Sequence, residues 1–202
     1  MSSATNSRDW KRYYEKTGDR APRRTLLIAL DLFDRDARVR RRAVDLGCGS
    51  GRDTIELLRR GWQVLAIDAE ADAIEALRNR TDLPAQARLE TRLGRFEDLS
   101  WPPADLVNSS FALPLCAPAD FARLWRRIVE SLSPGGRFAG QFYGERDGWA
   151  GDPSLTHLSR KDAEALLEEL EVECFDEEEE DSVTPRGKPK HWHIFHVVAR
   201  KP

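Results

Sequence analysis

Two rhythms of apolar and polar positions alternate along this chain. Short apolar runs, Ala43–Leu46, Gln63–Asp68 and Ala104–Ser109, are bounded by glycine, proline or charged residues and predict buried strands. Between them the period lengthens. Arg52–Arg60 and Ala71–Arg80 read as amphipathic helices, the first stopped by Gly61. Phe121, Leu124, Trp125, Ile128 and Leu132 recur at i, i+3, i+4, i+7 and i+11, a helix with one buried face, and Ser133-Pro134-Gly135-Gly136 ends it. Arg137–Tyr143 then reads as a fifth strand, and Gln86–Leu93 as a weaker third one. Downstream, Ser159 caps a helix with Ala163, Leu166, Leu167 and Leu170 inward. Glu171–Glu178 and His191–Val198 close the chain as two strands. Upstream of the first strand, Trp10 to Gly18 and Thr25–Phe33 predict two helices.

Strands alternating with helices at this spacing predict an α/β protein: a mostly parallel sheet covered by helices on both faces. The last two strands are joined by the turn-rich loop Thr184–Pro189 with no helix between them, so they form an antiparallel hairpin. Neither an internal repeat nor a separate second domain is visible, and the chain reads as one domain over 1–202 with an N-terminal extension over 1–40.

The chemistry concentrates where the first strand ends. Asp45-Leu46-Gly47-Cys48-Gly49-Ser50-Gly51 sets three glycines at alternate positions before a helix, a loop whose backbone N–H groups come close to a ligand. Asp68 ends the second strand 21 residues after Gly47, where a carboxylate can accept from both hydroxyls of a ribose. Dinucleotide folds space the glycines G-x-G-x-x-G, whereas this loop reads G-x-G-x-G.

That spacing resembles motif I of the class I S-adenosylmethionine-dependent methyltransferases. Over nearly its whole length the chain is similar to their small tellurite-resistance-type and thiopurine-type branch. The residues that carry the likeness are Asp45–Asp53, Asn108–Pro114, Ser133–Gly136 and Val197–Lys201. The resemblance implies a Rossmann-like seven-stranded sheet in the order 3-2-1-4-5-7-6 with the seventh strand antiparallel, and S-adenosyl-L-methionine as cofactor. It implies that Asp45 and the Gly47, Gly49 and Gly51 loop hold the amino-acid end of that cofactor, with Arg20 on its carboxylate. Asp68 and Ala69 then meet the ribose, and Asn108 lies beside the methionine moiety. The adenine subsite falls after the third strand, at Phe96 and Glu97. Many family members carry an acid directly after the glycine there, and this chain has Arg95 instead.

Methyl transfer from a sulfonium requires alignment and dryness more than a strong catalytic group. The acceptor pocket is expected between an N-terminal lid (Trp10, Tyr13, Tyr14), the fourth-strand tip (Asn108, Phe111) and the insert Gly144–Leu158 with Trp149. If a base is needed, His157 is the first candidate and His193 the second, with Tyr14 able to close over the site. In a strand, His191 and His193 share a face with Phe195. An i, i+2 histidine pair can chelate a metal, but no ligand-spaced acid or cysteine completes a site, and no metal is expected. The fourth-strand tip lacks an N-P-P-[YF]-like tetrad, which argues against amino methylation of nucleic-acid bases.

Composition narrows the partners. At 40% hydrophobic and 33% charged residues, with net charge −3 and no apolar run near the ~20 residues that span a bilayer, a soluble cytoplasmic enzyme is expected. Three scattered cysteines, Cys48, Cys116 and Cys174, suit a reducing compartment, and Cys116 reads as a small buried hydrophobe. Residues 1–42 hold twelve lysines and arginines against six acids, but no aromatic platform interleaves Arg38–Arg42 as nucleic-acid binding requires. Residues 161–181 hold twelve acids against one lysine. The expected partner is a small-molecule methyl acceptor (thiol, chalcogen, phenol or other metabolite), with the protein a monomer or homodimer. The alternatives are a cofactor-binding scaffold without turnover that meets a partner through Asp176–Asp181, or a methyltransferase acting on RNA or protein. An oxidoreductase is the runner-up cofactor class.

Overall fold

A computed structural model describes residues 20–36, 41–185 and 187–202. The lid candidates Trp10, Tyr13 and Tyr14, and most of the Arg38–Arg42 cluster, lie outside them. In chain order the elements are α1 (Arg24–Arg35), β1 (Arg42–Leu46), α2 (Arg52–Arg59), β2 (Gln63–Asp68), α3 (Ala71–Arg78), β3 (Arg88–Leu93) and β4 (Ala104–Ser109). There follow α4 (Pro118–Ser131), β5 (Leu132–Gly144), β6 (His157–Leu158), α5 (Arg160–Ala165), β7 (Glu171–Val183) and β8 (Pro189–Arg200).

The strands form one sheet in the order β3-β2-β1-β4-β5-β8-β7, with β6 beside the end of β5. Only β8 runs antiparallel to its neighbours, so the order implied by the resemblance holds for the seven main strands. Residues on β1 and β4 are buried almost throughout because the sheet centre is covered on both faces. One face is packed by α1, α2 and α3 through Leu26, Leu30, Phe33, Leu57, Ile74 and Leu77. The other is packed by α4 and α5 through Phe121, Leu124, Trp125, Ile128 and Ala163.

Three features differ from the sequence expectation. The Ser133–Gly136 turn is a bulge inside β5: Ala104 of β4 pairs with Leu132, and the next partner of β4, Leu106, pairs with Arg137. A Cβ on Gly136 would meet the carbonyl oxygens of Ser133 and Asp105 at 2.8 and 2.9 Å, which is why the bulge needs glycine. The terminal hairpin is longer than its apolar pattern, because β7 continues through Glu178–Val183 on ladder bonds to β8. Finally, the end of the insert returns to the sheet, where His157 and Leu158 pair in parallel with Tyr143 and Gly144. The other edge of β5 holds β8 at the same level, so β6 lies on the β4 side, beyond the tip of β4.

Candidate active site at the carboxyl ends of the central strands

The loop after β1 is built for close approach. Gly47, Gly49 and Gly51 all adopt positive φ, and a Cβ on Gly47 would fall 2.2 Å from that of Ala112. Gly47 and Cys48 donate their N–H groups to the Ile67 carbonyl, which fixes the loop against β2. Beneath it Asp45 is buried and accepts from Thr54 Oγ1 at 2.5 Å and from Asn108 Nδ2 at 2.9 Å. Asn108 also reaches the buried Asp53, and its own Oδ1 is buried with no hydrogen-bond partner. Asp68, at the β2 tip, accepts the Gly49 N–H at 2.8 Å and the Glu70 N–H at 2.9 Å, with exposed Ala69 between β2 and Glu70. Phe96 and Glu97 are buried at the mouth of the next loop, and Phe96 reaches the Gly47 loop. Arg95, where an acid was expected, bonds Glu97 at 2.5 Å and leaves most of its side chain in solvent. Arg20 is exposed.

Burial, reinforced by repulsion from Asp53, pushes the Asp45 carboxyl up to about 7 against the Thr54 and Asn108 donors. The native state therefore binds a proton that the unfolded chain releases between about pH 4 and 7, and this contribution to stability is lost as pH rises through about 7. An ammonium held at Asp45, the role the sequence resemblance implies for it, would require the carboxylate form, so its binding would respond in the opposite sense. Affinity for S-adenosylhomocysteine is expected to rise between pH 6 and 8 (order-of-magnitude window around the Asp45 midpoint). Calorimetry across that range checks this, and Asp45→Asn should flatten the dependence.

Beyond β4 the wall is aromatic. Phe111, a non-glycine residue at φ 58°, lies 6.5 Å from Tyr143, 6.4 Å from Trp192 and 6.3 Å from His196, measured between ring centres. Lys190 is buried among three rings, with Nζ 3.4 Å from the centre of Trp192, 3.8 Å from Trp149 and 4.6 Å from Tyr143. It bonds Asp147 at 2.7 Å, and burial pulls its ammonium down to about 8 while Asp147 resists. Asp147 also accepts the N–H groups of Trp149 and His193, so one buried pair pins the insert to β8.

His157 stacks on Tyr143, with Nε2 buried, unbonded and 3.8 Å from Asp147 Oδ1. Burial lowers its pKa, which favours the neutral imidazole. The structure thus brings His157, Trp149 and Phe111 to one end of the sheet. His193 goes elsewhere. It lies on the opposite face from Trp192, with its ring in the space a Gly144 Cβ would fill. Its Nε2 is 2.8 Å from Glu177 and its Nδ1 accepts the Arg146 N–H. Glu177, Glu179 and His193 place potential ligand atoms within 4.8 Å of one another. The Arg146 guanidinium already fills that space, bonded to both carboxylates and 3.1 Å from His193 Nε2.

The sequence reading gave no role to Thr54, Gln141, Asp147 and Lys190, and held Asp53 only as part of the Asp45–Asp53 motif and Arg23 only as part of the lid segment Arg20–Arg23. Asp53 and Thr54 adjoin the glycine loop and had a local signal; the others meet the site only through the fold.

Residues 43–136 match the methyltransferase domain family. That stretch is a methyltransferase domain of the S-adenosylmethionine-dependent kind. Among curated relatives it is 37% identical over 128 residues to a trans-aconitate 2-methyltransferase of Rhizobium leguminosarum bv. trifolii, which covers 61% of this chain and 44% of that protein. It is 31% identical over 111 residues to a carboxy-S-adenosyl-L-methionine synthase of Shewanella pealeana, covering 52% and 46%. The chain thus spans less than half the length of these two relatives. In fold it is similar to TehB from Haemophilus influenzae, with a TM-score of 0.78 at 16% identity over 94% of this chain and 66% of that one. The methyltransferase family uses S-adenosylmethionine, and the residues here suit it: acids at both strand tips, a cradle closed to any Cβ, and an unbonded buried acceptor on Asn108.

Proposed function

We propose that this methyltransferase domain transfers a methyl group from S-adenosylmethionine to a small-molecule acceptor. The observation that carries the reading is the Gly47–Gly51 loop seated between Asp45, Asn108 and Asp68. Asp45 and Asn108 Oδ1 would hold the cofactor's ammonium, Asp68 its ribose, and Phe96 with Glu97 its adenine end. S-adenosylmethionine supplies, when bound, a methyl group activated by a neutral thioether leaving group. The chain's own residues align and enclose the acceptor: Phe111, Tyr143, Trp149 and Trp192 form an apolar wall on the β4 to β8 side. For an acceptor that must lose a proton, His157 Nε2 is positioned to take it, being buried and unbonded. Acceptors that are already nucleophilic need alignment alone. Residues 1–40 would act as a lid within a single domain over 1–202.

The scaffold alternative draws less support. Among the Asp176–Asp181 carboxylates, Asp176 bonds Arg24, Glu177 bonds Arg146 and Arg160, Glu178 meets His196, and Glu179 with Asp181 meet His191. Five of those six carboxylates are thus already engaged within the chain. Among the described residues no helix is long and apolar enough to cross a membrane, and a cytoplasmic enzyme fits the reading.

A turnover screen tests this function. Release of S-adenosylhomocysteine is expected with at least one member of a small-molecule panel of thiols, chalcogenides, phenols and trans-aconitate. Activity confined to RNA or protein substrates would contradict it.

A further inference from the structure

Arg23 stands apart from the other cations at this end of the sheet. Its guanidinium carbon lies 4.2 Å from the centre of the Phe111 ring, and no carboxylate among the described residues pairs with it. Its neighbours differ: Arg24 is bonded to Asp176 and Lys190 to Asp147. A guanidinium stacked on a ring uses its π face for that contact. Its N–H edge, the planar fork that matches a carboxylate, meets no carboxylate among the described residues.

The stack is held from behind by two chains of hydrogen bonds. Arg23 donates its backbone N–H to Asp53 Oδ1 at 2.9 Å, and Ser110 Oγ donates to Asp53 Oδ2 at 2.5 Å, which ties the start of α1 to the residue before Phe111. Phe111 donates its N–H to Gln141 Oε1 at 3.0 Å, and Gln141 Nε2 donates to Thr25 Oγ1 at 2.8 Å. Phe111 also takes left-handed backbone geometry, which is strained in a non-glycine residue and persists only when its surroundings fix it. Its ring neighbours, Tyr143, Trp192 and His196, belong to β5 and β8, on the far side of β4 from the glycine loop. The guanidinium is therefore presented on the acceptor side.

We infer that Arg23, stacked on Phe111, binds a carboxylate of the acceptor, so that the substrates are small unsaturated or aromatic acids. The planar part of the acceptor lies along the aromatic wall while its carboxylate meets the N–H edge of Arg23. This inference rests on the methyl-transfer reading and narrows it.

The test compares acceptors that differ in one carboxylate, 4-mercaptobenzoate against thiophenol and 4-hydroxybenzoate against phenol. Binding to the S-adenosylhomocysteine complex is measured by calorimetry, beside turnover with S-adenosylmethionine. The wild type should favour the acid of each pair by about tenfold or more, the scale of one charge-assisted bidentate contact. Arg23→Gln should bring that preference within about threefold, Arg23→Lys should keep part of it, and Arg24→Gln should leave it intact. Affinity for S-adenosylhomocysteine should change less than about threefold in all three variants, within the spread of a site not touched. An unchanged preference in Arg23→Gln, or no preference in the wild type, would overturn the inference. So would selective loss of S-adenosylhomocysteine affinity in Arg23→Gln, which would assign the guanidinium to the cofactor's carboxylate. Failure of the wild type to bind S-adenosylhomocysteine at all would instead remove the methyl-transfer reading, and this inference with it.

Discussion

Asp68→Ala is expected to weaken binding of S-adenosylhomocysteine by at least about 100-fold. Hydrogen bonds to a charged group contribute ~1.5–3 kcal/mol each, and two ribose hydroxyls on one carboxylate amount to ~3–6 kcal/mol, at ~1.4 kcal/mol per tenfold in affinity. The substitution also frees the Gly49 and Glu70 N–H groups that Asp68 holds, which loosens the loop itself. Asp68→Asn keeps the shape and one acceptor oxygen, so it should fall between the wild type and alanine. Calorimetric titration of the three proteins orders them. An alanine variant within threefold of the wild type (well inside the loss of a single charged hydrogen bond) would remove Asp68 from the cofactor site.

Lys190→Met should produce the largest loss of stability. It leaves the Asp147 carboxylate fully buried without its counter-charge, and breaking a buried pair from one side costs about 3–5 kcal/mol. For a chain of this length, that lowers the melting temperature by on the order of 10 °C. Three ring contacts to the ammonium disappear with it. Removing both charges, in Asp147→Asn with Lys190→Met, should be less damaging than Lys190→Met alone, because no unpaired charge remains. Thermal unfolding of the single and double variants measures the coupling. Additive losses would show that the two side chains do not support each other. Because the same pair pins Trp149 and His157 over the β4 tip, turnover should fall with stability in the single variant.

The sheet was legible because its signals are local. β2 and β4 coincide residue for residue with their apolar runs, since both are buried on each face and bounded by turns or charge. The same holds for the glycine loop, where φ and close packing leave glycine little competition. The β5 bulge was not legible: Ser133-Pro134-Gly135-Gly136 is a turn by composition, and only pairing with β4 and with Lys201 draws it into a strand. Histidine roles were legible in part. Alternation along β8 correctly put His193 on the face away from Trp192, but only the fold shows that Glu177 and Arg146 occupy its ring nitrogens. The Asp147–Lys190 pair joins residues 43 positions apart, and Gln141 reaches Thr25 across 116. Such contacts leave no periodicity behind. The contact of Arg23 with Phe111 was hidden for the same reason, although the segment Arg20–Arg23 itself reads as part of a lid.

The most direct measurement is a calorimetric titration of the intact wild-type chain with S-adenosylhomocysteine and, separately, with NAD, at pH 8, where Asp45 is ionised. Both ligands carry a ribose for Asp68, but only one carries an amino-acid end for Asp45 and Asn108. Saturable one-to-one binding of S-adenosylhomocysteine and none of NAD is the expected result. Tight binding of NAD, with no heat from S-adenosylhomocysteine, would contradict the account.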